Sequence, residues 1–577
     1  MDIEQVTKRA QEYVQRETHG FFRSDVLSAI NREDIEGLTD RFYQELTFGT
    51  AGMRGVIGGG SNRMNPLAVA RVTEGLGRYI TGHQEDALVV IAYDTRNFSR
   101  LFAETAAQVL CRAGLTVQMF ADVAPVPILS FAVRHLGAQA GITITASHNP
   151  SEYNGYKVYW ADGAQVTPPH DEGIVTEVEA VRESGEPVEG MPLKEAEALG
   201  RFSWVDQQLH EDYYAMVRSV SIRPELFSRR ESTLTVVFTP LHGTGLHPVE
   251  RVLRDLGVSV ITVDEQRDPD GNFPTVKNPN PEDPDAMSLA LSYGVSNGAD
   301  IILGTDPDGD RLGIAVPTTP DKTGYRLLTG NQIAVLLCDY ICSGRRESGM
   351  DQLVTVKSIV TTDLMEKITE HYGGRCVNVL TGFKYIAQVI EQLAFSEEHF
   401  VFGAEESYGY LVEQDVRDKD AVSAAAMAVE MAQYHLKRGV SLLQHLEELY
   451  GQFGYHQERV LSRTLPGQKG QQQISHLMDH FRMDVTDGVA GSRVVSRMDL
   501  LQEGTGLPKT NMLIYRLEEA RSFILRPSGT EPKIKCYLFC SSGEKDLTAA
   551  RREVMRLLDR YEEFFDDQLS LIRSRTD

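Results

Sequence analysis

The sequence predicts an α/β protein built from three similar α/β domains with mixed sheets and a smaller C-terminal α+β domain. Short apolar, β-branched runs alternate with helical segments through most of the chain, as buried strands covered by helices do. The cycle recurs three times and ends each time in a loop rich in reactive side chains, which points to an internal structural repeat. From about residue 456 the character shifts. At ~100–200 residues per domain, a length of 577 accommodates about three to five such bodies. The expected divisions are 1–206, 207–322, 323–453 and 454–577.

Residues 1–48 read as helical, with Phe21, Val26, Ile30 and Leu38 at helical spacing. They lead into Phe48-Gly49-Thr50-Ala51-Gly52-Met53-Arg54-Gly55, where glycines around an arginine let backbone N–H groups and a guanidinium approach an anion. A strand over 87–94, a helix over about 100–113 and strands over 115–120 and 142–145 form the first sheet. The last of these runs into Thr145-Ala146-Ser147-His148-Asn149-Pro150 and on to Lys157. Ligands of open α/β sheets collect at such strand ends. Ser147 is therefore the candidate nucleophile, carrying a phosphoryl group; a turn-forming serine is the competing reading.

A glutamate-rich stretch over 172–200 reads as surface helix and linker. The second cycle has strands over 233–240, 258–263 and 299–304, followed by Thr305-Asp306-Pro307-Asp308-Gly309-Asp310-Arg311. Three carboxylates at alternate positions supply hard oxygen ligands for a divalent cation. An EF-hand is excluded, because its sixth and twelfth places, counted from Asp306, hold Arg311 and Pro317. Mg²⁺ with positions open to phosphate oxygens fits better. A solvated acidic turn is the alternative, opposed by mutual repulsion of the carboxylates.

The third cycle has a helix over 331–342, strands over 353–356 and 377–380, the loop Thr381-Gly382-Phe383-Lys384, and a strand over 399–402. It ends in Gly403-Ala404-Glu405-Glu406-Ser407, whose carboxylates suit sugar hydroxyls; a helix capping box competes. Asp415-Val416-Arg417-Asp418-Lys419-Asp420 opens an Ala- and Met-rich helix, its charges either solvated or lining a cleft. The last domain reads as strands over 456–462 and 521–526 with helices over 470–482 and 546–565. Its loop Arg526-Pro527-Ser528-Gly529-Thr530-Glu531-Pro532 suits a dianionic phosphate, an ordinary turn being the alternative.

A formal charge of -24 opposes binding to nucleic acid or anionic membranes, so an anionic substrate must be met by clustered Arg and Lys. Cys111, Cys338, Cys342, Cys376, Cys536 and Cys540 read as reduced core residues, since no nearby His completes a metal set. The polar N-terminus and the lack of a bilayer-length apolar run predict a cytoplasmic protein.

Thr-Ala-Ser-His-Asn-Pro, Asp-Pro-Asp-Gly-Asp-Arg, Glu-Glu-Ser and Arg-Pro-Ser-Gly-Thr-Glu-Pro, in this order, resemble the motifs of the α-D-phosphohexomutase family. Together with Thr239-Pro240-Leu241-His242-Gly243-Thr244-Gly245 and Asn278-Pro279-Asn280-Pro281-Glu282, they look closest to the branch of phosphoglucomutases and phosphopentomutases. The resemblance implies a four-domain, heart-shaped enzyme in which each domain contributes one loop to a cleft. It implies that Ser147 is phosphorylated, that Asp306, Asp308 and Asp310 bind one Mg²⁺ together with Ser147, and that Arg311 stands beside the metal. Arg54, His148 and Lys157 match basic groups near the phosphoserine. Glu405 and Ser407 match the sugar-contacting pair, and Gly382 and Lys384 of the preceding loop are expected to join them in binding substrate. Arg526, Ser528, Gly529 and Thr530 match the loop that holds the phosphate that is not transferred, and Lys419 is expected to add a cation for phosphate.

The implied reaction interconverts glucose 1-phosphate and glucose 6-phosphate through glucose 1,6-bisphosphate, which also activates the enzyme. Lys157 or His148 manages the proton. Small sugar phosphates are the expected partners of a monomer or weak homodimer. Ala404 stands where many relatives have Gly, which leaves mannose and pentose phosphates as alternative substrates. Two other readings compete: an aspartyl-phosphate phosphatase with Asp306 as nucleophile, and a noncatalytic sugar-phosphate sensor.

Overall fold

The computed structural model describes residues 3–49, 52–227, 234–485, 488–528 and 532–576. It divides into two compact units: Met1–Gly330 with Ile386–Ser396 and Ser407–Arg438, and Asn331–Tyr385 with Glu397–Glu406 and Gly439–Asp577.

In the first unit, helices Ile3–Arg16, Gly20–Asn31 and Ile35–Phe42 pack through Val6, Ala10, Val26, Leu38 and Phe42. The first sheet comprises β1 (Met53–Val56), β2 (Leu88–Tyr93), β3 (Thr116–Met119), β4 (Ala140–Ile144), β5 (Tyr153–Trp160) and β6 (Phe202–Trp204), in the order β1-β5-β4-β2-β3-β6. Strand β2 runs parallel to β3 and β4, and β5 returns antiparallel to β4. Helix Pro66–His83, started by the Asn65 cap and by proline at its first turn, packs its buried Val69, Val72, Leu76 and Ile80 into the core of this sheet.

The second sheet repeats this wiring. It comprises β7 (Thr235–Thr239), β8 (Ser259–Thr262), β9 (Ile301–Thr305), β10 (Leu312–Pro317) and β11 (Tyr325–Leu327), in the order β11-β10-β9-β7-β8. Here β7 runs parallel to β8 and β9, and β10 returns antiparallel to β9.

In the second unit, β12 (Leu353–Ser358) pairs in parallel with β13 (Arg375–Val379) and β14 (His399–Glu405). Each of the three triplets thus has its first strand between the other two. Ser147, Asp306 and Glu405 occupy equivalent places, at or just beyond the end of the third strand. Strand β15 (Gly409–Leu411) and the buried helix Ala421–Lys437 belong to the first unit.

The C-terminal sheet is antiparallel throughout. It holds β16 (Tyr455–Thr464), β17 (Gly488–Val489), β18 (Ser492–Asp499), β19 (Leu513–Leu517), β20 (Arg521–Pro527) and β21 (Lys533–Ser542), in the order β16-β21-β20-β19-β18-β17. Helices Gly467–Met483 and Leu547–Thr576 pack on β21. The sequence pattern shows two of these strands; β18, exposed along most of its length, has no apolar face to betray it. All six cysteines are free thiols, five of them buried and Cys376 half-buried. Among the described residues, no helix is long and apolar enough to cross a membrane.

Candidate active site

Beyond β4 the chain turns sharply, and Ser147 adopts φ +53°, a left-handed conformation that L-residues take only when their surroundings enforce it. The Ser147 N–H donates to Thr145 Oγ1 at 2.9 Å, and Thr145 Oγ1 donates to Asp308 Oδ2 at 3.2 Å. The nucleophile candidate is buried, with Oγ donating to Asp306 Oδ2 at 2.9 Å. His148 Nδ1 lies 3.2 Å from the same Oγ. Burial, reinforced by the Arg311 and Arg54 guanidiniums, holds the His148 pKa well below its ordinary value, so the imidazole is neutral. Arg54 is exposed on β1, and its Nη1 donates to Asn149 Oδ1 at 3.1 Å.

The aspartate loop follows β9. Asp306 Oδ1 accepts the N–H groups of Asp310 at 3.1 Å and Arg311 at 3.0 Å, and Gly309, at φ +68°, closes the turn. Asp306, Asp308 and Asp310 are all buried, with ligand oxygens within 4.8 Å of one another, which excludes the solvated-turn reading. Burial, then the neighbouring Asp308 and Asp310, pushes Asp306 well above the usual carboxylate range. Burial alone would raise Asp308, but the Lys157 ammonium, the hydrogen bond with Asp306 and the Lys419 ammonium together outweigh it and hold that carboxyl low. Oδ1 of Asp308 and of Asp310 are buried without a hydrogen-bond partner. Orphaned carboxylate oxygens in a dry acidic cluster are costly, and a hard cation would satisfy them; these residues fit a divalent metal.

Two lysines border the cluster. Lys157 lies on β5 opposite Thr143 and donates to Asp308 Oδ2 at 3.0 Å. Lys419 Nζ stands 3.1 Å from Asp310 Oδ2 and 2.9 Å from Asp418 Oδ1. Arg417, Asp418, Lys419 and Asp420 are buried, so the charged start of this helix is not a solvated one. Asp420 caps it by accepting from Val422 and Ser423 N–H. Arg311 Nη1 pairs with Glu282 at 2.7 Å, and its Nε lies 3.9 Å from Asp310. Ser407 is half-buried in this unit.

In the second unit, Glu405 ends β14, and its Oε1 accepts the Gly382 N–H at 2.7 Å. It stands at a strand end, so the capping-box reading falls. Lys384 is the second residue of helix Phe383–Leu393, with its ammonium 5.6 Å from the Tyr385 ring centre. Glu406 accepts from Ser358 Oγ at 3.2 Å, and burial, then Glu405, pushes its pKa up to about 7. Arg526 lies on β20 opposite Lys535, and the Ser528 N–H donates to Lys533 O at 2.8 Å. Gly529 and Thr530 lie outside the described residues.

Residues 45–184, 211–319 and 329–453 match the models of α/β/α domains I, II and III of phosphoglucomutase/phosphomannomutase. The chain belongs to the α-D-phosphohexomutase family. The phosphoglucomutase of Staphylococcus epidermidis is 35% identical over 535 residues, which cover 90% of this chain and 95% of that protein. That of Staphylococcus aureus is 36% identical over 539 residues, covering 91% and 94%. Among solved structures, parafusin of Paramecium superposes with a TM-score of 0.70 at 17% identity, covering 92% of this chain and 96% of its own. A phosphoglucomutase/phosphomannomutase family protein of Burkholderia thailandensis gives 0.65 at 19%, covering 92% and 98%. These two likenesses establish the fold.

As a phosphohexomutase the chain is a mutase, an isomerase that acts on sugar phosphates. Several polar residues of its first unit escape sequence reasoning. Asp418 Oδ2 accepts from Tyr159 Oη at 2.8 Å and from Gln165 Nε2 at 3.0 Å, which fixes the carboxylate that holds Lys419. Arg96, buried behind Ser147, is another. No local pattern marks Tyr159, Gln165 or Arg96, because their partners lie far away in the chain.

Proposed function

We propose that this phosphohexomutase is a phosphoglucomutase that interconverts glucose 1-phosphate and glucose 6-phosphate through a phosphoserine at Ser147 and a glucose 1,6-bisphosphate intermediate. The observation that carries the reading is Ser147 Oγ, 2.9 Å from Asp306 Oδ2 and beside carboxylates with orphaned oxygens. The names of the staphylococcal relatives support the choice of sugar.

Asp306, Asp308 and Asp310, with the Ser147 oxygen, would hold Mg²⁺, which supplies charge neutralisation at the phosphoryl oxygens. Glucose 1-phosphate binds with its O6 toward phospho-Ser147. O6 attacks the phosphorus, the bond from phosphorus to Ser147 Oγ breaks, and His148 or Lys157 manages the proton of the attacking hydroxyl. The bisphosphate then turns over and returns its other phosphoryl group to Ser147, releasing glucose 6-phosphate. Arg54 and Arg311 add positive charge around the transferred group. Glu405, Ser407, Gly382 and Lys384 bind the sugar, while Arg526, Ser528, Gly529, Thr530 and Lys419 bind the resting phosphate. The same reading takes the enzyme to be a cytoplasmic monomer or weak homodimer.

The test compares kcat/KM on glucose 1-phosphate, mannose 1-phosphate and ribose 1-phosphate with catalytic bisphosphate. The expected preference for glucose is at least ~10-fold. Equal rates would remove the support for glucose as the substrate.

A further inference from the structure

Arg96 follows β2, and its guanidinium is fully buried, 0% exposed. Its Nη1 donates to the carbonyls of Pro150 at 2.8 Å and Tyr153 at 3.0 Å. Its Nη2 donates to the carbonyl of Ser147 at 2.6 Å and to that of Asn149. Nε lies 3.3 Å from Asp94 Oδ2, while Asp94 Oδ1 accepts the Arg96 N–H at 2.9 Å and the Ser99 hydroxyl at 2.7 Å. One planar cation therefore gathers four carbonyls along the connection from Ser147 into β5. The chain turns too sharply there for a strand ladder to fix it.

The guanidinium is itself seated. Its Cζ lies 5.0 Å from the centre of the Phe273 ring, and the Arg96 backbone bridges to Gly271. A Cβ on Gly271 would fall 2.5 Å from Asn97 N and 2.7 Å from Thr95 O, so the two segments touch backbone to backbone. His242 anchors the Phe273 segment through Asp268 O at 3.2 Å and Thr275 Oγ1 at 2.9 Å. The connection from β8 to β9, which leads to the aspartate loop, thus supports the arginine that shapes the serine loop.

We infer that Arg96 is a positioning residue for phosphoryl transfer: it fixes the Ser147 main chain so that Oγ meets Asp306, and Gly271 and Phe273 hold it in that role. The inference rests on the phosphoserine reading. Lysine cannot replace it, because an ammonium lacks the planar fork that reaches these carbonyls while Nε faces Asp94.

The test uses the full chain and measures, per folded molecule, the rate at which glucose 1,6-bisphosphate phosphorylates Ser147, by quench and intact mass, together with kcat and KM. Arg96→Lys is expected to slow phosphorylation and kcat about 100-fold with KM within about threefold, the cost of a small misplacement of the reacting atom. Gly271→Ala, which touches only the backbone beside Arg96, is expected to slow both about 10-fold. Guanidinium ion is expected to restore part of the rate of Arg96→Ala. A purely structural role would lower the folded fraction and leave the rate per folded molecule unchanged, which overturns the assignment. Should Arg96→Lys not fold, Phe273→Leu carries the same test. Wild-type Ser147 that takes no phosphate would sink the phosphoserine reading and this inference together. Normal labelling of both wild type and Arg96→Lys would sink the inference alone.

Discussion

Ser147 Oγ donates its hydrogen bond to Asp306 Oδ2 at 2.9 Å, joining two loops 159 positions apart in the chain. The two loops occupy equivalent places in two sheets of the same wiring, so the repeat in the fold brings the nucleophile candidate to the acidic cluster. Because Asp308 and Asp310 each leave an oxygen orphaned there, the cluster is expected to bind Mg²⁺ measurably by calorimetry. Asp308→Asn is expected to weaken that affinity by more than the ~10–100-fold that loss of an outer-shell partner costs, and chelation is expected to stop turnover. Unchanged affinity in the variant would contradict the assignment of ligands.

Lys419 bridges two buried carboxylates, Asp310 and Asp418. Lys419→Met keeps most of the side-chain volume but removes the ammonium, leaving Asp418 only neutral donors and Asp310 only the more distant Lys157 at 4.0 Å and Arg311 at 3.9 Å. The metal-free variant is expected to lose about 3–5 kcal/mol of stability in urea unfolding, the cost of breaking a buried pair from one side. A loss below about 1 kcal/mol would show that the pair is effectively solvated.

Glu413 gives the first unit a pH dependence. Its carboxylate is buried and accepts from the Val416 N–H at 3.2 Å. Burial, then the nearby Asp420, pushes its pKa up to about 8. A carboxyl whose folded pKa is raised favours the native state below its unfolded value, and that stability is lost as pH rises through the folded one. Its contribution should therefore fall between about pH 4.5 and 8, with a slope of at most about 1.4 kcal/mol per pH unit. Glu413→Gln is expected to flatten the profile there, as read from unfolding curves at fixed ionic strength. Parallel profiles would show that Glu413 is not the group responsible.

The three strand triplets are legible in the sequence because each strand is a short apolar run, and the loops after the third strands are legible because Ser147, Asp306 and Glu405 stand among distinctive neighbours. The return strand β5 is not legible. No strand is read from the sequence over its Asn154, Gly155 and Lys157, which pair with β1 and β4 in the structure. The charges of 415–420 are visible in the sequence but not their burial, since Tyr159 and Gln165, which receive Asp418, lie 259 and 253 positions away. Arg96 is hidden for the same reason: the Ser147, Pro150 and Tyr153 carbonyls it holds are 51 to 57 positions downstream.

The central claim is that Ser147 carries the phosphoryl group, and peptide mass spectrometry after brief exposure to glucose 1,6-bisphosphate tests it most directly. The account predicts one phosphate on the peptide containing Ser147, stable to hydroxylamine and absent from Ser147→Ala, which should also lose mutase turnover while still binding the bisphosphate. A hydroxylamine-labile phosphate on Asp306, or turnover with no phosphate on Ser147, would contradict it.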